Sequence, residues 1–459
     1  MTNSKIIVDS NRGWLVVFAS FMIHFIMDGI TYSMGQVFLE PMRTKLSLSR
    51  AWVSSILSIL PAVTLGAGPI ATVFTNRYGC RVVAIAGACI ASFGFFLSYW
   101  WANIWFYYIT IGVIGGIGFA LMYLPAIVSV NEYFERKRAF AMGIAVCGSG
   151  VGTFVLSYVM NGLVNIHSLF SYSTALLIEA GIIAFGLLCG FLLGSTTKEK
   201  EEKNVSETLL SSDGTVNLAE NKNESKAPKS FIDQVTEQID LRLLKNAAFT
   251  LFTISNFLAS LGFNVIYNYA DDLANDAKVI KEHRTYIVMS IGVSNILGRF
   301  IIGYLGDRKW INRLFLFILT LIISGIATVV APLCGSSVIQ HIAYASFFGF
   351  FSGGYVALTS IVLVDIVGVE KISDAFGVLL LFIGIATAIG TPVVGAMRDA
   401  FAHFTRPFLW PYLIFGGCTI ISAVILFAIP LLQKKKSNKH PTELTTNVPE
   451  GGNTDQIGL

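Results

Sequence analysis

An all-α membrane protein of twelve transmembrane helices in two six-helix bundles is the fold class this sequence predicts. Three observations predict it. Hydrophobic residues make up 54% of the chain and charged residues only 13%, with a mean hydropathy of +0.67. A soluble globular chain carries about 25% charged residues. The apolar residues also gather into twelve runs, each near the roughly 20 residues that a helix needs to cross a bilayer. A polar stretch over 195–246 then divides the twelve into six and six.

The runs cover 13–38, 52–75, 82–101, 104–131, 139–162 and 172–194, then 247–270, 284–306, 313–333, 338–367, 374–396 and 409–432. Helices are the consistent reading, because lipid offers open backbone groups no partners and no alternating barrel pattern is present. The first run is longer than the apolar core of a signal peptide and lacks a small-residue cleavage site, so it is expected to stay as an anchor. The predicted organisation is a cytoplasmic N-tail over 1–12, a bundle over 13–194, a linker over 195–246, a bundle over 247–432 and a cytoplasmic C-tail over 433–459. The linker is rich in Lys, Glu, Ser, Asn and Thr and almost free of aromatics, a composition that does not bury a core.

Orientation follows from the loops. The tails, the linker and the 2/3, 4/5, 8/9 and 10/11 loops hold the large majority of the 32 Lys and Arg residues. Basic loops stay on the cytoplasmic side, so both termini are expected there, and the sequons at Asn204 and Asn223 should be unglycosylated. Lys434, Lys435 and Lys436 read as a stop signal facing lipid headgroups. A faint repeat relates the halves: Thr75-Asn76-Arg77-Tyr78-Gly79-Cys80-Arg81 follows the second run, and Gly306-Asp307-Arg308-Lys309, then Arg313, follows the eighth. Such repeats fit parallel halves related by an axis along the membrane normal.

Arg299 stands apart from the other basic residues because it lies inside the run 284–306. An arginine at the bilayer centre costs roughly 3 kcal/mol on insertion scales, and a chain that keeps one points it at a polar cavity or a partner. Its guanidinium fork matches a carboxylate in two-point fashion. Two readings stand: capture of a substrate carboxylate, with Asn295 one turn before it and Tyr32 nearby, or a permanent internal salt bridge, most simply to Asp28. In the first run His24 and Asp28 are four residues apart and share a face, which Tyr32 extends by another turn. That pair fits a proton relay or ion-coupling site as well as it fits a satisfied structural pair. Glu179 in the sixth run reads as structural pairing. Asp365, near the end of the tenth run beside Glu370 and Lys371, reads as a gate or helix-end residue, as do Arg77, Arg136 and Arg138 in the basic turns.

Other chemistries find little support. Cys80, Cys89, Cys147, Cys189, Cys334 and Cys418 are scattered and outline no disulfide or metal framework. Gly112, Gly115, Gly116, Gly118, Gly143, Gly148, Gly150 and Gly152 lie inside apolar runs with no following Lys-Ser/Thr. They read as close helix packing or as a sliding surface between the halves, not as a phosphate loop. No nucleophile–base pair, metal cluster or nucleotide motif marks an enzyme, so no catalytic residue, metal or cofactor is expected, and nucleic acid is not an expected partner. No filter ring marks a channel.

The segment Tyr133-Phe134-Glu135-Arg136-Lys137-Arg138-Ala139-Phe140-Ala141-Met142-Gly143-Ile144-Ala145, running on to Gly148-Ser149-Gly150-Val151-Gly152-Thr153, resembles the signature of the monocarboxylate transporter family, a branch of the major facilitator superfamily. Gly118-Phe119 with Tyr123-Leu124-Pro125-Ala126, Trp52-Val53-Ser54-Ser55-Ile56, Asn76 to Arg81, and Asp365-Ile366-Val367-Gly368 with Ala375-Phe376-Gly377 also fit. The opening Asp9-Ser10-Asn11-Arg12-Gly13-Trp14 keeps the family's acid and Gly-Trp without its middle glycines and first Trp. No Lys or Arg lies between Arg12 and Arg43, where proton-coupled lactate members carry a first-helix lysine. Asn295 stands where those members have an Asp, and Ser352 where thyroid-hormone and aromatic-amino-acid members place a tenth-helix Asp. The resemblance implies the major facilitator fold and a plasma-membrane secondary transporter of a small carboxylate, with proton symport as one expectation. A facilitated carrier of a zwitterionic or amino-acid-like solute and a non-transporting nutrient sensor are the alternatives. A single-pass glycoprotein chaperone accompanies some members and is an implied partner beside the bilayer and the solute.

Overall fold

The computed structural model describes residues 11–48, 50–165, 172–194 and 241–431. Residues 1–10, most of the expected linker, Lys434–Lys436 and the C-tail lie outside the described residues. Among those described, eleven helices are long and apolar enough to cross a membrane, and twelve when one bent pair counts as a single span.

The first half begins with α1 (Asn11–Leu46), longer than the predicted run. The second run is two helices, α2 (Arg50–Gly66) and α3 (Gly68–Tyr78), bent by 45° at Ala67. Pro69 has no N–H to give the preceding turn, so the helix restarts there instead of continuing. Next come α4 (Cys80–Ser98) and a composite span of α5 (Ile104–Tyr107), a π-helical stretch Tyr108–Gly115 and α6 (Gly116–Tyr133). Asn103 starts that span by accepting the Trp105 N–H at 2.9 Å. The half closes with α7 (Arg138–Asn165) and α8 (Tyr172–Leu192). The second half holds α9 (Ala247–Asp276), α10 (Lys281–Gly306), α11 (Arg313–Val330), α12 (Val338–Val367), α13 (Ile372–Ala400) and α14 (Leu409–Leu426). Leu241–Lys245, inside the expected linker, forms a short 3-10 turn ahead of α9.

Packing repeats between the halves. In the first, α1 packs on α7, α4 on α8 and on α6; in the second, α9 packs on α13, α11 on α14 and on α12. Several buried hydroxyls satisfy themselves on the preceding turn, as Thr64 does on the Leu60 carbonyl at 2.8 Å and Thr328 on the Ser324 carbonyl at 2.8 Å. The outer surface is apolar: Phe93, Leu188, Phe315 and Val424 are exposed, as side chains facing lipid should be. Trp100, Trp101 and Trp105 ring one end of α4–α5, where amphipathic rings suit a membrane interface.

The halves meet along two seams, α7 against α10 and α2–α3 against α13. Glycines line both. A Cβ on Gly143 would meet the Arg299 carbonyl, one on Gly150 would meet Ile296, and one on Gly68 would meet the Gly377 carbonyl. Gly148 and Gly152 instead face α1, within the first half.

Candidate functional site

Arg299 projects from α10 into the seam with α7 and is 6% exposed. Its Nη1 donates a hydrogen bond to the Val146 carbonyl, across the halves, and its Nε–H has no partner. Among the described residues no carboxylate lies within 4.0 Å of its guanidinium, so the salt bridge to Asp28 is not formed in this structure. Asp28 is nevertheless close enough to feel the Arg299 charge, and Ser149 of α7 lies in its neighbourhood. Arg299 and Asp28 thus belong to opposite halves, and Arg299 is tied to α7 through the Val146 carbonyl.

His24 sits one turn before Asp28 on α1 and is 1% exposed. Its Nδ1 lies 2.7 Å from the Ser20 carbonyl, and its Nε2 has no partner. Its ring meets Tyr123 of α6 edge-on at 5.3 Å. Tyr32, one turn beyond Asp28, is 47% exposed although it senses Asp28, Arg299, Tyr267 and Tyr355 from both halves. A side chain so surrounded and still so accessible borders an open central space.

Asn295 is placed beside Arg299, but its amide is engaged within its own half. Nδ2 donates to the Tyr267 hydroxyl at 2.8 Å, the Gly349 carbonyl at 3.2 Å and Ser352 Oγ at 3.4 Å. Ser352 and Asn295, two positions that the resemblance marks as replaced acids, thus contact each other and Tyr267. Tyr123, Tyr267 and Tyr355 join the site without having been singled out in the sequence. Phe263 packs on Tyr267 at 4.7 Å and on Tyr355 at 6.0 Å. Tyr123 stacks on Phe376 of the other half at 6.2 Å. Glu179 is fully buried in α8 with neither carboxyl oxygen hydrogen-bonded, so the structural partner expected for it is missing among the described residues.

The end of the molecule that bears α1's start and Pro430 is the tail side. There the halves are tied by polar contacts. The Asp307 carboxylate accepts the Ala139 N–H at 3.0 Å and the Phe140 N–H at 2.8 Å, which places a negative charge on the N-terminus of α7. On the other seam Asn76 donates to Asp374 at 2.6 Å and Thr72 to the Ser373 carbonyl at 3.0 Å. Asp365 pairs with Arg313 at 3.0 Å, and Arg313 lies 3.6 Å from Asp307. Arg138 turns back onto the Phe134 carbonyl at 2.7 Å and the Asn131 carbonyl at 3.2 Å, holding the end of α6. Arg136 lines, with Asp307, Arg313 and Asp365, a tail-side cleft of about 790 Å³. Arg77 lies over the Tyr78 ring at 5.4 Å.

Asp307 and Asn76 were visible in the sequence only as parts of basic turns, and Asp374 only as the start of the run 374–396. The repeated turn was the available signal, and the long-range partners were not. Asp307→Ala is expected to weaken the tail-side closure by about 1–2 kcal/mol, the scale of a lost helix cap. That is a shift of roughly 5- to 30-fold in the balance between closed and open arrangements. It should appear as reduced crosslinking of a cysteine pair placed at Asn76 and Asp374, and unchanged crosslinking would refute the latch.

The chain matches known proteins along nearly its whole length. The family model of the Major Facilitator Superfamily matches residues 16–276 and 251–451. Mouse monocarboxylate transporter 12 is 26% identical over 454 residues, covering 96% of this chain and 90% of its own. Zebrafish (Danio rerio) monocarboxylate transporter 12-B is 28% identical, covering 95% and 91%, and chicken (Gallus gallus) monocarboxylate transporter 4 is 28% identical, covering 95% and 86%. A solved structure of the proton:xylose symporter XylE bound to 6-bromo-6-deoxy-D-glucose aligns with a TM-score of 0.66 at 16% identity, covering 91% of this chain and 96% of that one, a likeness of fold. A helical membrane fold, two seams between its halves and these matches agree: the chain is a transporter, not an enzyme, belongs to the Major Facilitator Superfamily, and is similar over nearly its whole length to monocarboxylate transporters.

Proposed function

We propose that this transporter moves a small organic anion, a monocarboxylate in the first instance, across the plasma membrane by alternating access. The observation that carries the reading is the Arg299 guanidinium, buried in the seam between the halves with its Nε–H unpartnered. A carboxylate offers the two acceptor oxygens that such a fork requires. A seat between the halves lets rocking of one half on the other expose the solute to each side in turn. Tyr32 borders the same space, and Asn295 positions Tyr267 beside it. Asp28 and His24 are the groups proposed to take up the coupling cation. Asp365, Arg136, Arg138 and Arg77 belong to the tail-side closure, which the charge bias of the loops assigns to the cytoplasm along with both termini.

The test is uptake of labelled carboxylates and their matched primary amides into cells that display the protein, with the outside medium neutral or acidic. Carboxylates should enter and amides should not. An inward proton gradient should speed the carboxylates if the coupling cation is a proton. Equal uptake of acid and amide would sink the proposal.

A further inference from the structure

We infer that the tail-side cleft is a seat for the phosphate headgroup of an anionic phospholipid, and that a lipid seated there holds the two halves together on that side.

The cleft, about 790 Å³, has walls from both halves. Glu135 and Arg136, in the turn between α6 and α7, belong to the first half; Asp307, Arg308, Lys309 and Arg313, in the turn between α10 and α11, belong to the second, with Asp365 of α12. Its volume falls within the roughly 300–1,000 Å³ of small-molecule sites. The charges inside it are not equivalent. Arg313 is committed: its Nε donates to the Gly306 carbonyl at 2.9 Å, its Nη1 pairs with Asp365 at 3.0 Å and its Nη2 lies 3.6 Å from Asp307. Asp307 in turn accepts two N–H groups of α7. On the first wall Glu135 and Arg136 offset one another.

Arg308 and Lys309 have no such partners. Both are exposed, and among the described residues neither has a carboxylate within 4.0 Å. The Arg308 guanidinium rests over the Tyr304 ring, 4.0 Å from its centre. An arginine stacked in this way still presents its donor fork at the edge, the geometry that phosphate oxygens take.

The rest of the lining says which kind of phosphate. Ile311, Leu314, Val362, Ile366, Ile429 and Pro430 are apolar. Ile429 and Pro430 sit at the end of the apolar span Leu409–Leu431, so the cleft lies where a crossing helix leaves the hydrocarbon. Trp310, Phe315 and Leu431, each next in sequence to a lining residue, are 80%, 59% and 71% exposed. Cations beside apolar and aromatic side chains match the headgroup layer of a bilayer, where basic pockets between helices take anionic headgroups. A free phosphate would use the cations and leave the apolar side chains facing water. Because the walls come from opposite halves, a headgroup that touches both binds the closed arrangement better than one in which the walls part. That difference in affinity is what shifts an equilibrium.

Two measurements on the full-length chain test this. In native mass spectrometry the purified protein should retain phosphatidylserine in preference to phosphatidylcholine. The double variant Arg308→Gln with Lys309→Gln should retain at least tenfold less. Lys137→Gln with Lys371→Gln removes two exposed charges outside the cleft and should retain as much as wild type. In vesicles, adding phosphatidylserine to phosphatidylcholine should raise crosslinking of cysteines placed at Asn76 and Asp374 at least threefold, and the Arg308 and Lys309 double variant should lose that response. Equal retention by wild type and the cleft variant, or equal losses in the two double variants, would overturn the seat. Displacement of the lipid by an equal concentration of soluble glycerophosphoserine would make a free phosphate the occupant and overturn the lipid assignment. Lipid retained at the cleft with crosslinking unchanged would overturn its hold on the halves. Neither measurement involves the solute, so the carboxylate reading of Arg299 is tested separately.

Discussion

Arg299→Gln should lower carboxylate uptake by roughly a hundredfold while the protein still reaches the membrane. Removing one partner of a buried, hydrogen-bonded charge pair costs about 2–5 kcal/mol, much of it from the partner left uncompensated. At about 1.4 kcal/mol per factor of ten, the middle of that range is a hundredfold or more. The glutamine amide keeps one donor group but has no planar fork. Arg299→Lys keeps the charge on a flexible stem and should fall between wild type and Gln, because a point charge cannot reproduce two-point recognition. The side effect is modest: the Val146 carbonyl loses its bond from Nη1, a cost of about 1–3 kcal/mol for a buried acceptor left unpaired. Uptake normalised to surface-labelled protein separates the two effects. Normalised uptake that stays at the wild-type rate would remove Arg299 from the substrate seat.

Gly152→Leu should prevent assembly of the first half. A Cβ on Gly152 would overlap the Phe25 carbonyl, and one on Gly148 would overlap the Phe21 carbonyl. From the other side a Cβ on Gly29 would come to 2.8 Å from the Gly152 carbonyl carbon. Helices α1 and α7 thus cross backbone on backbone, a contact that only the smallest residues allow. Overpacking costs about 1–3 kcal/mol when side chains can shift. Here the obstacle is backbone, so the helices themselves must separate. The same contact seats the stretch of α1 that carries Asp28 and Gly29 against α7, so any variant that survives should also lose transport. Leucine at Gly181 or Gly162, where a Cβ meets nothing within 4 Å, is the control and should be tolerated. Fluorescence-detected size exclusion of solubilised protein reads the result. A monodisperse Gly152→Leu peak of wild-type height would contradict the packing described.

Membrane physics explains how much was legible beforehand. Lipid forces each crossing to be a helix and each helix to be apolar, so the spans could be counted along the chain. Even so, the second run proved to be bent at Ala67, and the run 104–131 proved to contain a π-helical stretch. Both are local adjustments that leave an apolar pattern unchanged. The glycines of the fourth and fifth runs were read as packing or as a sliding surface; in α7, Gly148 and Gly152 pack on α1, while Gly143 and Gly150 pack on the other half.

The site was legible as far as charge made it so. Arg299, Asp28 and His24 stood out because an ionisable group within an apolar run carries a cost that any reader of the sequence can see. Tyr123, Tyr267 and Tyr355 carry no such mark, since a tyrosine in a membrane helix is ordinary. Asp307 looked like one more charge in a loop until its carboxylate was found on the α7 N-terminus, more than a hundred residues away in the chain.

What the sequence determined by itself is therefore one-dimensional: twelve crossings, a division into two halves, and one buried cation that requires a counterpart. Tertiary structure alone decided what that cation meets. It placed Val146 and not Asp28 against the guanidinium, tied Asn295 to Tyr267 and Ser352, and closed the tail side with Asp307, Asn76 and Asp374. The reason is that burial in lipid is a property of each helix, which composition records. Partnership depends on which helix faces cross, and that is set by backbone contacts at glycines such as Gly143 and Gly152 from segments far apart in the chain.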